Sequence, residues 1–167
     1  AAAAEYTSAN EHRLATEQYA LAGDYKRAAE NYERSREPHL AGQYYERAEE
    51  PLKAAENYEI YLLRELESIA SPDDIPPELQ ALGERTAKIL QSTNELQRAT
   101  KLFARVGAFQ EAANCLRSTG DFTSAAEMLV QANQPMLAAK ILEEAGQERR
   151  AARMRAEASL AKGDLEL

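Results

Sequence analysis

The pattern of small and large apolar residues repeats every thirteen positions along most of the chain. Pairs of small residues form a first series, namely Ala15-Thr16, Ala28-Ala29, Ala41-Gly42 and Ala54-Ala55. After an interruption a second series follows, namely Ala99-Thr100, Ala112-Ala113, Ala125-Ala126, Ala138-Ala139 and Ala151-Ala152. A fixed short period predicts stacked structural repeats, each of which contacts mainly its neighbours.

Within each repeat the apolar positions follow helical spacing. If the first small residue is position zero, positions −3, 0, +3, +4 and +7 share one face of a helix. Position +4 carries a large residue in most repeats: Tyr19, Tyr32, Tyr45, Tyr58, Phe103, Leu116, Leu129 and Leu142, with Arg155 in the last. We expect the tyrosines, the phenylalanine and the leucines to fill the core, and Arg155 to belong to a terminal repeat whose outer face meets water. The period leaves room for a helix of about ten residues, ~15 Å long, and a turn of about three.

The residues between the helices fit short turns. Asp24 and Asp121 stand at N-cap positions, and prolines stand one position later in other repeats, at Pro38, Pro51 and Pro135. Glycines follow several helices, at Gly23, Gly107, Gly120 and Gly146, where a left-handed turn needs no Cβ. Such short connections predict antiparallel hairpins. The expected fold is therefore all-α, an α-solenoid of short antiparallel hairpins with about thirteen residues per helix unit.

The repeat is interrupted in the middle of the chain. The sequence predicts a first array over residues 1–70, which ends in a longer helix from Pro51 to about Ala70, and a Pro/Asp-rich loop over 71–77. A second array follows over 78–167, with a helix at 78–91 and a cap for the next helix at Thr93 or Asn94. Either one solenoid carries an insert or two arrays meet here, and we expect one continuous solenoid.

Composition narrows the range of functions. The net charge is −8, which argues against nucleic-acid binding because phosphate contacts require a basic surface. No apolar run approaches the ~20 residues that span a bilayer, and residues 1–4 do not resemble a secretory signal. The single cysteine, Cys115, favours a reducing compartment. We expect a cytoplasmic protein, or one at the cytosolic face of a membrane-associated complex.

Three segments carry a family resemblance. Residues 22–33, 109–116 and 122–129 share one pattern, in which an aromatic residue precedes a pair of alanines and a tyrosine or leucine. This pattern resembles the tetratricopeptide superfamily, in particular vesicle-fusion attachment proteins and the helical repeats of intraflagellar-transport and coat proteins. Two units here span 26 residues instead of the usual 34, so we expect shorter helices. The resemblance implies a scaffold for protein–protein contacts.

The chain offers little for catalysis or cofactor binding. The sequence lacks a phosphate-binding loop, and His12 and His39 lie in different repeats without metal-ligand spacing. We expect His39 to be exposed to solvent and Cys115, at position +3, to be a buried apolar residue. Asp73 and Asp74 lack the spacing of a calcium loop. We therefore expect no enzyme, no metal and no cofactor.

Two groups of residues are candidates for partner binding. The first combines tyrosines at flanking positions with apolar residues on the polar faces: Tyr25, Tyr44, Tyr61, Leu40, Ile60, Val130 and Leu137. For the apolar members the alternative is packing against a second neighbouring helix. The second group is a basic patch near the end of the chain: Arg149, Arg150, Arg153 and Arg155. The alternative for these arginines is a solvated capping helix.

These features favour a non-catalytic scaffold or adaptor module in a trafficking, coat or transport assembly. Its expected partners are other proteins, through a peptide segment or a helix, with membrane contact only indirect. End-to-end stacking of two copies is a further expectation, because a terminal repeat exposes a face that interior repeats bury. The alternative function is a regulatory helical-repeat domain that binds a ligand or peptide in a larger enzyme or signalling protein.

Overall fold

A computed structural model describes residues 12–163 of the chain, and the side chains of residues 14–160. Over that range the chain is all α-helical apart from turns and one short 3-10 turn at Pro72–Asp74. The helices are α1 (His12–Leu21), α2 (Tyr25–Arg34), α3 (Pro38–Arg47), α4 (Pro51–Glu65), α5 (Pro77–Ser92), α6 (Leu96–Arg105), α7 (Phe109–Ser118), α8 (Phe122–Gln131), α9 (Pro135–Glu144) and α10 (Glu148–Gly163). The expected helical-repeat fold is confirmed.

The helices form two compact units, of which the first ends at Thr93 and the second begins at Asn94. Within each unit every helix packs against the one that follows it. Helix α5 packs against α4, and its Leu82 contacts the core formed by Ala29, Tyr45, Ala54 and Tyr58. The contacts thus place α5 with the first unit, whereas the sequence pattern places the break at the loop 71–77. One continuous solenoid stays a prediction.

The helix starts follow the capping residues of the sequence. The Asp24 side chain accepts a hydrogen bond from the backbone N–H of Arg27 at 3.2 Å, and Asp121 does the same for Ser124 at 3.0 Å. Prolines occupy the first turn of α3, α4, α5 and α9, where their missing N–H has no partner to lose. The helices with the regular period are ten residues long, as the thirteen-residue beat requires.

Two boundaries differ from the prediction. Helix α4 ends at Glu65 and not near Ala70, because Leu66 is buried as the C-cap and the chain then turns, with the Ile69 N–H bonded to the Leu66 carbonyl at 3.1 Å. The predicted cap at Thr93 or Asn94 is wrong, since the residue before α6 is Glu95. Thr93 instead donates its hydroxyl to the carbonyls of α5, and Asn94 adopts a left-handed conformation with φ of 65°.

Every regular turn contains one left-handed residue, and these residues are thirteen positions apart within each series. They are Gly23, Arg36 and Glu49 in the first unit, and Asn94, Gly107, Gly120, Asn133 and Gly146 in the second. The next residue closes the turn with a backbone hydrogen bond to the +4 carbonyl, for example Glu37 N–H to Tyr32 at 3.0 Å. The four predicted glycines are confirmed. Arg36 and Glu49 adopt the same left-handed conformation, although their Cβ atoms make it unfavourable.

We predict that Arg36→Gly stabilises the chain. Arg36 has φ of 59°, its side chain is exposed, and removal of the Cβ strain outweighs the added freedom of the unfolded chain. The expected gain in the free energy of unfolding is about 0.5–1 kcal/mol, measured by urea titration with circular dichroism. The matched control is Gly23→Ala, which places a Cβ at φ of 74° and should destabilise by a similar amount. A shift of both variants in the same direction would contradict the turn geometry.

The paired small residues lie where helices approach most closely. Ala28, Ala41, Ala54, Ala112, Ala125 and Ala138 are each fully buried. Gly42 shows the constraint most clearly, because a Cβ added there would lie 2.7 Å from Cε1 of the Tyr58 ring. The core of the second unit combines such alanines with Leu129, Ile141 and Leu142. The small residues at position zero therefore lie in the core of both units, as predicted.

Candidate interaction surfaces

Tyr25 and Tyr44, two of the candidate tyrosines, lie together between α2 and α3. Their ring centroids are 6.4 Å apart, and Tyr32 lies 5.2 Å from Tyr44. All three rings are half-buried, and the Arg47 guanidinium lies 5.0 Å from the centre of the Tyr44 ring. Desolvation, with the Tyr44 hydroxyl as a smaller cause, raises the pKa of Tyr32. We call Tyr25, Tyr32 and Tyr44 the aromatic cluster.

Tyr61 takes part in a different contact, with His39 of α3. The two rings stack with centroids 4.7 Å apart, and His39 Nε2 lies 3.4 Å from Gln43 Nε2. The predicted solvent exposure of His39 is wrong, because this stacking leaves the imidazole only partly accessible. A groove of about 420 Å³ lies beside the pair, and α5 contributes Leu79 and Leu82 to it.

The tyrosines at position +4 do not share one environment. Tyr45 and Tyr58 are each 1% exposed, and their hydroxyls donate to Glu33 Oε2 and Glu46 Oε2, both at 2.9 Å. Burial is the main cause of a raised pKa at both tyrosines, and the hydrogen-bonded carboxylate is the second cause. The pKa of Tyr58 is raised to about 12. Each donor is twelve residues from its acceptor, so the contact joins +4 of one helix to +5 of the preceding helix.

The remaining +4 tyrosines of the first unit, Tyr19 and Tyr32, were expected in the core but are only half-buried. For Tyr32, the position of the acceptor carboxylate is taken by Ala20, so the ring lacks that anchor and packs beside Tyr44. Tyr19 packs against Arg27, whose guanidinium lies 5.8 Å from the ring centre. Two of the four tyrosines of the first series therefore leave part of their rings at the surface.

The apolar candidates are more exposed than core packing would allow. Ile60, Val130 and Leu137 are 54%, 46% and 38% exposed, so packing against a second neighbour is the wrong interpretation for these three. Leu40 is half-buried. Ile60 lines a cleft of about 250 Å³ with Pro38 and Asn57. Val130 lines a larger groove in the second unit.

The four arginines of the basic patch lie along α10, and all are exposed. They divide by partner. Arg155 contacts Glu143 of α9, and Arg153 Nε donates to Glu157 Oε1 at 2.8 Å. Arg150 and Arg153 line the same groove as Val130, whereas Arg149 does not. The Arg155–Glu143 contact joins the same +4 and +5 positions as the tyrosine–glutamate contacts, and Arg155 is exposed, as expected for the last repeat.

A repeated polar contact escaped the sequence analysis. In each case the residue just before a helix is hydrogen-bonded to a residue in the first turn of the helix two repeats earlier. The pairs are Glu50 with Lys26 at 2.7 Å, Gln134 with Gln110 at 3.0 Å, and Gln147 with Thr123 at 3.1 Å. In the exposed first pair, the hydrogen bond raises the pKa of Lys26 and lowers that of Glu50. The regular separation of 24 residues was the available signal.

The described residues contain no group of three or more His, Cys, Asp or Glu side chains that could hold a metal ion. Cys115 is fully buried, as expected, and burial raises the pKa of its thiol above the ordinary value. The thiol is thus disfavoured as a nucleophile. Within residues 12–163 no helix is both long enough and apolar enough to cross a membrane. The side chain of His12 lies outside the described residues.

No protein-family model matches the sequence, and no curated protein matches it. Among solved structures, the chain is similar to a kinesin light chain-like protein from Podosopora anserina with nearly identical TPR-like repeats. The sequences are 17% identical, the TM-score is 0.44, and the match covers 92% of this chain and 94% of that chain. A variant of that protein is 16% identical to this chain with a TM-score of 0.43, and the match covers 93% of this chain and 94% of that chain. The helices and left-handed turns of the described residues define the all-α helical-repeat fold.

Proposed function

We propose that this chain is a non-catalytic module that binds other proteins within a larger assembly of the trafficking, coat or transport type. The observation that carries the proposal is the exposure of large apolar and aromatic side chains on a repeat whose core is already filled by buried residues. The packing of the described helices does not require solvent exposure of the aromatic cluster, Ile60 or Val130. Partly exposed tyrosines beside an arginine are typical of protein interfaces.

The expected partner is a peptide segment or a helix of another protein. The acidic net charge of −8 supports a protein partner over a nucleic acid. A cytosolic site of action belongs to the same proposal and is supported by the single, buried cysteine. Catalysis finds little support, because Cys115 is fully buried and burial raises the pKa of its thiol.

We predict that the double substitution Tyr25→Ala and Tyr44→Ala weakens binding to a captured partner at least about tenfold, the loss expected for an aromatic hot spot. Both rings are half-buried, so part of the cost falls on stability, which is measured by thermal unfolding in parallel. The matched control is Phe109→Ala with Phe122→Ala, an equal loss of two half-buried aromatic rings from the second unit. Full affinity in a folded Tyr25/Tyr44 variant would remove the aromatic cluster from the interface.

A further inference from the structure

A groove of about 550 Å³ lies in the second unit between α8 and α10. Its apolar lining comes from three helices, with Ala126 and Val130 on α8, Leu142 on α9 and Met154 on α10. Val130 is 46% exposed, whereas Leu142 is 3% exposed and forms part of the core. An apolar lining that remains open to solvent in a packed repeat requires an explanation.

The explanation lies in the +4 and +5 positions. At two places in the first unit these positions are bridged by a tyrosine hydroxyl and a carboxylate, as in Tyr45–Glu33 at 2.9 Å. Leu142 and Val130 hold the same two positions in the second unit. They are shorter and apolar, so they provide neither the aromatic ring nor the polar bridge. In the second unit these two positions therefore contribute apolar side chains to a groove that is open to solvent.

Arg150 lies at the rim of this groove and is held by a neutral network. Gln147 Nε2 donates to Thr123 Oγ1 at 3.1 Å, while Gln147 Oε1 accepts from Arg150 Nη1 at 3.0 Å. The guanidinium has no carboxylate partner among the described residues, unlike Arg153, which is bonded to Glu157. The opposite wall carries Glu127. The α10 side of the groove therefore offers an oriented positive charge on a chain of net charge −8.

We propose that this groove binds a partner segment that inserts one leucine- or phenylalanine-sized side chain between Val130, Leu142 and Met154. A carboxylate of the same segment pairs with Arg150, and its end near Glu127 carries no acidic residue. The apolar lining selects the anchor, and the unpaired guanidinium selects the charge beside it. The inference rests on the proposed protein-binding function and names the chemistry of one partner site.

The test uses the full 167-residue chain and an oriented nonapeptide library. The central position is fixed as leucine or phenylalanine, the flanks are randomised, and the retained peptides are sequenced. We expect Asp and Glu to be enriched on one flank only. The best retained peptide is then synthesised with a fluorescent label, and its Kd is measured by anisotropy at two salt concentrations.

Charge reversals on α10 supply a matched pair. Arg150→Glu should raise the Kd about tenfold and abolish the acidic preference. Arg149→Glu changes the net charge equally on the same exposed helix but lies outside the groove, so affinity should stay within about twofold. Equal loss in both variants would overturn the proposal, because it would show only a long-range effect of net charge.

The apolar part of the groove has its own pair. Val130→Glu restores the residue type that Glu33, Glu46 and Glu143 hold at position +5, so the fold should tolerate it. We expect at least about a tenfold loss of peptide affinity. Met136→Glu, at an exposed apolar residue outside the groove, is the control and should leave the Kd unchanged. Thermal unfolding of both variants confirms that they fold.

Other outcomes would overturn the proposal. Retention of no peptide above background would do so, as would concentration-dependent self-association that Val130→Glu abolishes, because a second copy would then occupy the groove. The groove and the proposed function fail in different ways. If a stoichiometric protein partner binds through the aromatic cluster and ignores Arg150→Glu and Val130→Glu, the groove is wrong while the protein-binding function stands.

Discussion

Replacing Ala125 with leucine is expected to destabilise the second unit by about 1–3 kcal/mol, because three added carbon atoms have no space at this helix contact. Ala125 of α8 is fully buried in the core that includes Ala113, Leu129 and Ala138. Urea unfolding of the full chain, followed by circular dichroism, measures the loss.

Ala152→Leu is the control for this substitution, since Ala152 also belongs to a small pair but is exposed on α10. Its effect should stay within about 0.5 kcal/mol. Comparison of the two variants separates close packing from any general effect of a larger side chain in a helix. An unchanged unfolding midpoint for Ala125→Leu would show that the core face has been assigned wrongly.

The second large effect is expected for Tyr58→Ala in the first unit, at about 3–5 kcal/mol. The Tyr58 ring is 1% exposed, packs directly on Gly42, and has the Arg85 guanidinium 5.3 Å from its centre. Its hydroxyl donates to Glu46 at 2.9 Å. Removal of the ring leaves a cavity in a contact that the absence of a Cβ at Gly42 makes possible.

Tyr58→Phe separates the ring from its hydroxyl. This variant retains the packing on Gly42 and loses only the bond to Glu46, so it should cost about 1 kcal/mol. Thermal and urea unfolding of both variants give the comparison. If the phenylalanine variant were as unstable as the alanine variant, the hydroxyl–carboxylate contact would dominate the stability of this unit, contrary to the packing argument.

The fold was predictable from the sequence because the same local signals recur in successive repeats. The small pairs mark the helix contacts, and Asp24 and Asp121 begin helices where their side chains accept backbone N–H bonds. Glycine positions such as Gly107 and Gly146 show where left-handed turns lie. These are local effects, and each depends on only a few neighbouring residues.

The features that escaped prediction depend on contacts between different helices. Arg36 and Glu49 adopt left-handed conformations because the period of the repeat, and not their own preference, sets the turn. The Lys26–Glu50 contact joins positions −2 and −4, so its separation of 24 residues differs from two full periods. Helical periodicity gives the face of each residue but not this offset between neighbouring helices.

The candidate interaction residues were predicted individually but not as groups. Tyr25 and Tyr44 lie together because their helices are consecutive, and Tyr61 lies instead with His39. Val130 and Arg150 belong to α8 and α10, two repeats apart within the second unit. The groove between these helices depends on the absence of a tyrosine–glutamate pair at positions +4 and +5. A missing contact leaves little trace in a single sequence, so the groove required the structure.

The most direct test of the central claim is affinity capture from native lysate with the full chain as bait, quantified by mass spectrometry at two salt concentrations. If the chain is a protein-binding module, we expect one or two partners in stoichiometric amounts. They should be retained at the higher salt concentration because apolar contacts contribute to binding. Recovery of only non-specific background by a monodisperse, folded module would contradict the proposed function.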